Sequence, residues 1–127
     1  MPDILIVEDN PVNQKLIAFL LARAQYTYDL AENGSVALAQ LEKESYRLVL
    51  MDMMMPVMNG YDAIKAIRAN PKFQHVAVIA LTANAMKGED EKCRQIGCDD
   101  YIAKPYSKEQ ILSAIERLIG KPGAAVS

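Results

Sequence analysis

Along the chain, short continuous apolar runs alternate with longer segments whose apolar residues recur at helical spacing, and the pair repeats five times. The runs are "DILIVE" (Asp3–Glu8), "YTYDLA" (Tyr26–Ala31), "RLVLMD" (Arg47–Asp52), "VAVIAL" (Val76–Leu81) and "DYIA" (Asp100–Ala103). Apolar runs without in/out alternation predict strands of a parallel sheet covered on both faces. The first intervening segment opens on Asn10-Pro11, an N-cap and first helical position, and carries Val12, Leu16, Ile17 and Leu20 on one apolar face. Asn33 caps a second helix bearing Val36, Leu38 and Leu41, and Asn59 opens a third through Ile64 and Ile67. The fourth segment, "AMKGEDEKCRQIG", is interrupted by Gly88 and stopped by Gly97; in the fifth, Ser107 and Gln110 form a capping box before Ile111, Leu112, Ile115, Leu118 and Ile119.

Strand then helix, five times over, predicts a doubly wound α/β fold, (βα)5, with right-handed crossovers; taken as flavodoxin-like, its strand order is 2-1-3-4-5. With 127 residues, half of them hydrophobic, the chain reads as one domain over residues 1–120 and a frayed tail, "KPGAAVS", over 121–127. A formal net charge of -2 with no basic stripe argues against nucleic acid as a direct partner. The start "MPDILIVEDN" lacks the basic-then-apolar design of a signal peptide, and no apolar run approaches the roughly 20 residues that span a bilayer, so a cytoplasmic protein off the membrane is expected. Cys93 and Cys98 fit neither C-x-x-C nor a zinc knuckle and read as reduced bystanders.

Ligands of open α/β sheets bind at the carboxyl ends of the strands, where strand order reverses. There this chain places Glu8-Asp9, Asp52, Thr82 and Lys104 at the ends of its first, third, fourth and fifth strands. Carboxylates about 4 Å apart repel by about 4 kcal/mol per pair at an effective dielectric near 20, so the acid group calls for a cation. Mg²⁺ suits it, since it takes one or two carboxylates and completes its shell with water and phosphate oxygens. Asp52 then reads as a nucleophile that accepts a phosphoryl group, with Lys104 as a point charge and the Thr82 hydroxyl as a donor to the phosphoryl oxygens.

These residues, "LIVEDN", "LMDMMMPVMNG" (D-x-x-M-P-x-M-x-G), "ALTA" and "YIAKP", occur in order over nearly the whole chain and resemble the receiver domain of two-component response regulators. The likeness extends both to stand-alone DivK-like receivers and to receivers of hybrid kinases, from which this chain would equally be a cut-out module. The resemblance implies that Glu8, Asp9, Asp52 and the Met54 backbone carbonyl hold Mg²⁺, and that Asp52 takes phosphate from a phosphohistidine on a histidine kinase or histidine phosphotransfer protein. It implies that Thr82 and Ala83 contact the phosphoryl group, that Thr82 and Tyr101 form a switch pair, and that a cis bond joins Lys104 to Pro105. Output would follow from a change in the surface of the fourth helix, fifth strand and fifth helix, read by a downstream protein. Such a protein promotes only its own phosphorylation and dephosphorylation, and a monomer or weak dimer is expected. Met54, where a polar residue is frequent, and Asn84, two after Thr82, would overhang the site and tune the phosphoryl lifetime.

Other readings of the same residues compete. Asp52, Glu8 and Asp9 could be capping or solvated acids, Lys104 a surface lysine and Tyr101 a core aromatic. Met51, Met53, Met54, Met55 and Met58 could suggest a soft-metal site but suit gap-filling better. His75 follows "NPKFQ" in a surface loop, and Gly60 permits either a special backbone angle or close packing. A phosphatase with an aspartate nucleophile would want a second acid at position 54, where Met54 stands. A flavin module would want a Gly/Ser/Thr-rich first loop, where "EDNPVN" would repel an anion.

Overall fold

The computed structural model describes residues 3–53, 60–82, 89–103 and 106–120. Strands β1 (Ile4–Val7), β2 (Tyr28–Ala31), β3 (Leu48–Asp52), β4 (Ala77–Thr82) and β5 (Asp100–Ala103) form one parallel sheet in the order β2-β1-β3-β4-β5. Helices α1 (Pro11–Arg23), α2 (Gly34–Lys43), α3 (Gly60–Ala69), α4 (Glu89–Ile96) and α5 (Lys108–Ile119) complete the expected flavodoxin-like (βα)5 fold. Among the described residues no helix is long and apolar enough to cross a membrane. Asn59, read as the opener of α3, and the tail 121–127 lie outside the described residues.

The sheet divides the core in two. Leu5, Val7, Val49, Met51, Val78 and Ala80 face α2, α3 and α4, whose Leu41, Ile64, Ile67 and Cys93 pack onto them. Ile4, Ile6, Leu48, Leu50, Ile79 and Leu81 face the other way, against Ile17 and Leu21 of α1 and Ile111 and Ile115 of α5. Alternation along each buried strand thus feeds both faces, which is why the runs read as continuously apolar.

The apolar face read for α1 does not pack as one surface. Ile17, Ala18 and Leu21 are buried, but Val12, Leu16 and Phe19 stand 73%, 50% and 58% exposed. Helix α1 carries two apolar stripes, and a helical period does not say which of them meets the sheet. The start of α1 is as expected: Asn10 Oδ1 accepts from the amides of Val12 (2.8 Å) and Asn13 (3.2 Å), with Pro11 in the first turn. Its end is a Schellman closure, Tyr26 N–H to the Leu21 carbonyl (2.9 Å) and Gln25 N–H to that of Ala22 (3.0 Å), with Gln25 at φ 71° where glycine is usual. This closure uses Tyr26, so β2 starts two residues later than the sequence predicts.

At the amino ends of the strands, side chains hold the chain reversals. Arg68 of α3 donates to the carbonyls of Gly97 and Val76 and to the Asp99 carboxylate, each at 2.8 Å, and Asp99 in turn accepts the Val78 amide at 2.8 Å. Gly97 closes α4 at φ +114°, with its N–H on the Arg94 carbonyl and the Cys98 N–H on that of Cys93, both at 3.1 Å. The two cysteines, which are free, are also buried and make the apolar contact of this motif, and burial raises the Cys98 thiol pKa. Arg47 pairs with Asp3 at 3.5 Å and donates to the Ile119 carbonyl, while the Tyr26 hydroxyl donates to the Gly120 carbonyl at 2.9 Å, so the end of α5 is fastened to the amino end of the sheet. Asp100 pairs with Arg117 of α5.

Candidate functional site

The register of the sheet sets the site. Val7 pairs with Met51, so the next positions, Glu8 and Asp52, lie side by side; Asp52 pairs with Leu81, and Thr82 follows with Ala103 as its partner. Glu8, Asp52 and Thr82 are the buried polar side chains among the described residues, at 1%, 3% and 2% exposure, while Asp9 reaches solvent. One carboxylate oxygen from each of Glu8, Asp9 and Asp52 lies within 4.8 Å of the others. The convergence expected from strand order is therefore present, as a crowd of acids two of which are desolvated.

This donor set fits a hard divalent cation. Its three donors are all carboxylate oxygens gathered within 4.8 Å of one another, and Mg²⁺ takes oxygen ligands, carboxylates among them. Met51 and Met53 are buried in the core facing α3, which accounts for them as packing; Met54, Met55 and Met58 lie outside the described residues. Exposed His75 lies at the opposite end of the sheet, beside the start of β4.

Three residues at the site escape the sequence reading. The Asn13 side-chain amide donates to Glu8 Oε1 at 2.8 Å, and that of Gln14 donates to the Glu8 carbonyl at 2.6 Å. Tyr106 packs on the core facing α1 and α5, the face to which alternation also assigns Glu8 and Asp52. Burial first, then the charges of Glu8 and Asp52, push its phenol up to about 12. The signal for the two amides was their place in the first turns of the helix that follows the acid pair; nothing comparable marks Tyr106.

Tyr101 pairs with Ala80, two residues before Thr82 on the same face of β4, so the switch pair implied by the resemblance shares one side of the sheet. Gly60, at the start of α3, owes its place to close packing: a Cβ there would lie 2.6 Å from Met53 Cα and 2.8 Å from the Asp52 carbonyl oxygen. Met54, Ala83, Asn84, Lys104 and Pro105 lie outside the described residues.

Comparison with known proteins agrees with this geometry. The family model for the response regulator receiver domain matches residues 4–116. The chain is 37% identical over 117 residues to the polar-differentiation response regulator DivK of Brucella anthropi, covering 92% of this chain and 95% of that protein. It is 39% identical over 120 residues to hybrid signal transduction histidine kinase B of Dictyostelium discoideum, covering 86% of this chain but only 6% of that much longer protein. Among solved structures, the receiver domain of the sensor histidine kinase PA1611 from Pseudomonas aeruginosa, which holds a magnesium ion in its active-site cleft, is 42% identical, with a TM-score of 0.86 and coverage of 94% of this chain and 98% of that one. The receiver domain of the Saccharomyces cerevisiae response regulator Ssk1, solved together with the histidine phosphotransfer protein Ypd1, is 31% identical, with a TM-score of 0.85 and coverage of 92% and 89%. The chain belongs to the response regulator receiver domain family. Its place is in two-component signalling, in a family of phosphoacceptor domains, and the family supports neither the flavin-module nor the phosphatase reading.

Proposed function

We propose that Asp52 accepts a phosphoryl group from a phosphohistidine, with Glu8, Asp9, Asp52 and the Met54 carbonyl holding Mg²⁺. The observation that carries this reading is the meeting of three carboxylates, two of them buried, within 4.8 Å at neighbouring strand ends. A carboxylate oxygen of Asp52 attacks phosphorus; the O–P bond forms as the N–P bond to the donor imidazole breaks, and the electron pair leaves with that ring nitrogen. Bound Mg²⁺ supplies positive charge to the phosphoryl oxygens and relieves the repulsion among the acids. Lys104, the Thr82 hydroxyl and Ala83 serve those same oxygens, while Met54 and Asn84 tune the access of water. An ionised carboxylate needs no general base, so positioning and charge balance are the whole of the catalysis.

Movement of Thr82 toward the phosphoryl group frees space on the face it shares with Tyr101, which turns inward and changes the α4-β5-α5 surface that a downstream protein reads. A cis Lys104-Pro105 bond would aim the lysine at the site. The donor protein must cover the rim around Asp52, and the exposed stripe of Val12, Leu16 and Phe19 begins three residues after Asp9, giving a histidine kinase or histidine phosphotransfer protein an apolar surface beside the acceptor. The test is incubation with acetyl phosphate and Mg²⁺ followed by intact mass. One labile phosphate is expected on wild type and none on Asp52→Asn or without Mg²⁺; equal labelling of both chains would refute the assignment.

A further inference from the structure

We propose that Asn13 is a positioning residue for the cation site, holding the Glu8 carboxylate in the orientation that Mg²⁺ requires; the inference rests on the metal reading above. Glu8 is fixed twice from α1: the Asn13 amide holds Oε1 at 2.8 Å and the neighbouring Gln14 amide holds the main-chain carbonyl at 2.6 Å. The helix making both bonds is itself anchored at its first turn by the Asn10 cap and Pro11. A buried carboxylate requires a donor, and the type of donor decides what else it can do. Lysine or arginine at position 13 would neutralise Glu8 and compete with an incoming cation. A neutral amide satisfies one oxygen without neutralising the carboxylate, the arrangement by which partners outside the coordination sphere orient ligands.

The inference predicts opposite consequences for two substitutions. Asn13→Ala removes the hold but keeps the charge, and should weaken Mg²⁺ binding about tenfold or more. Asn13→Lys should weaken it further while raising the melting temperature in EDTA, because the introduced cation takes over the metal's electrostatic role. Mg²⁺ titration by calorimetry on wild type and both variants reads this directly. Labelling with acetyl phosphate supplies a second readout: for Asn13→Ala the Mg²⁺ concentration at half-maximal rate should rise by a larger factor than the saturated rate falls. If Asn13→Ala loses thermal stability yet binds Mg²⁺ as wild type does, the hydrogen bond is only structural and the proposal is wrong. If wild type itself binds no Mg²⁺, the metal reading falls and this inference with it, so the two failures are separable.

Discussion

The two ends of the sheet use the same residue type in opposite ways. At the amino ends, Asp3, Asp99 and Asp100 each face an arginine: Arg47, Arg68 and Arg117. At the carboxyl ends, Glu8, Asp9 and Asp52 are gathered against one another. The first arrangement closes on itself, since each carboxylate spends its charge tying one reversal of the chain to the next. The second accumulates negative charge at a point from which two of the three acids cannot escape to water. The acids that serve the fold each face an arginine here, and the acids of the site crowd one another.

The comparison breaks most severely at Arg68. Arg68→Ala removes three hydrogen bonds of 2.8 Å and strands the Gly97 and Val76 carbonyls; a loss of about 3 kcal/mol is expected, after discounting the partly exposed ion pair. Urea denaturation measures it, and a loss below about 1 kcal/mol would show that the amino end is not held there. Next in size is an inversion of sign. Asp99→Asn should destabilise by roughly 1 kcal/mol, whereas Asp52→Asn, measured in EDTA, should stabilise by a similar amount because it relieves part of a repulsion of about 4 kcal/mol per pair. Two melting curves decide it, and the same sign for both would end the distinction.

The smallest effect lies at Tyr106. Burial and the neighbouring carboxylates raise its phenol from the ordinary 10 to about 12, so in that range the folded chain holds a proton that the unfolded chain has released. Its contribution to stability is complete below pH 10 and is lost as the pH rises toward 12. Tyr106→Phe should therefore lose stability less steeply over that window, by under about 1 kcal/mol in total, and match the wild-type slope at neutral pH. Identical slopes above pH 10 would show that neither burial nor the acids act on Tyr106.

The strands and the acid site were legible because each rests on a local signal, unbroken apolar runs for strands and a polar residue where four of the five runs stop; the strand order came with the fold type. What escaped depends on partners distant in sequence. Arg47 with Asp3 and Arg68 with Asp99 pair across 44 and 31 residues, and nothing nearby marks those arginines as structural. The exceptions are Asn13 and Gln14, five and six residues from Glu8, whose place in the first turns of the helix after the acid pair was a signal left unread. The two apolar stripes of α1 show the same limit, since Leu16 and Ile17 are adjacent, similar in chemistry and opposite in fate. At Gly60 the sequence left two reasons open, and the structure gives contact rather than backbone angle.

That contact has a mechanical result. With hydrogen alone at Gly60, the first turn of α3 rests directly on the main chain of residues 52 and 53, without the cushion that a flexible side chain would supply. A shift in the backbone carrying Asp52 is therefore delivered to α3 undamped, and a methyl group at position 60 would hold the two permanently apart.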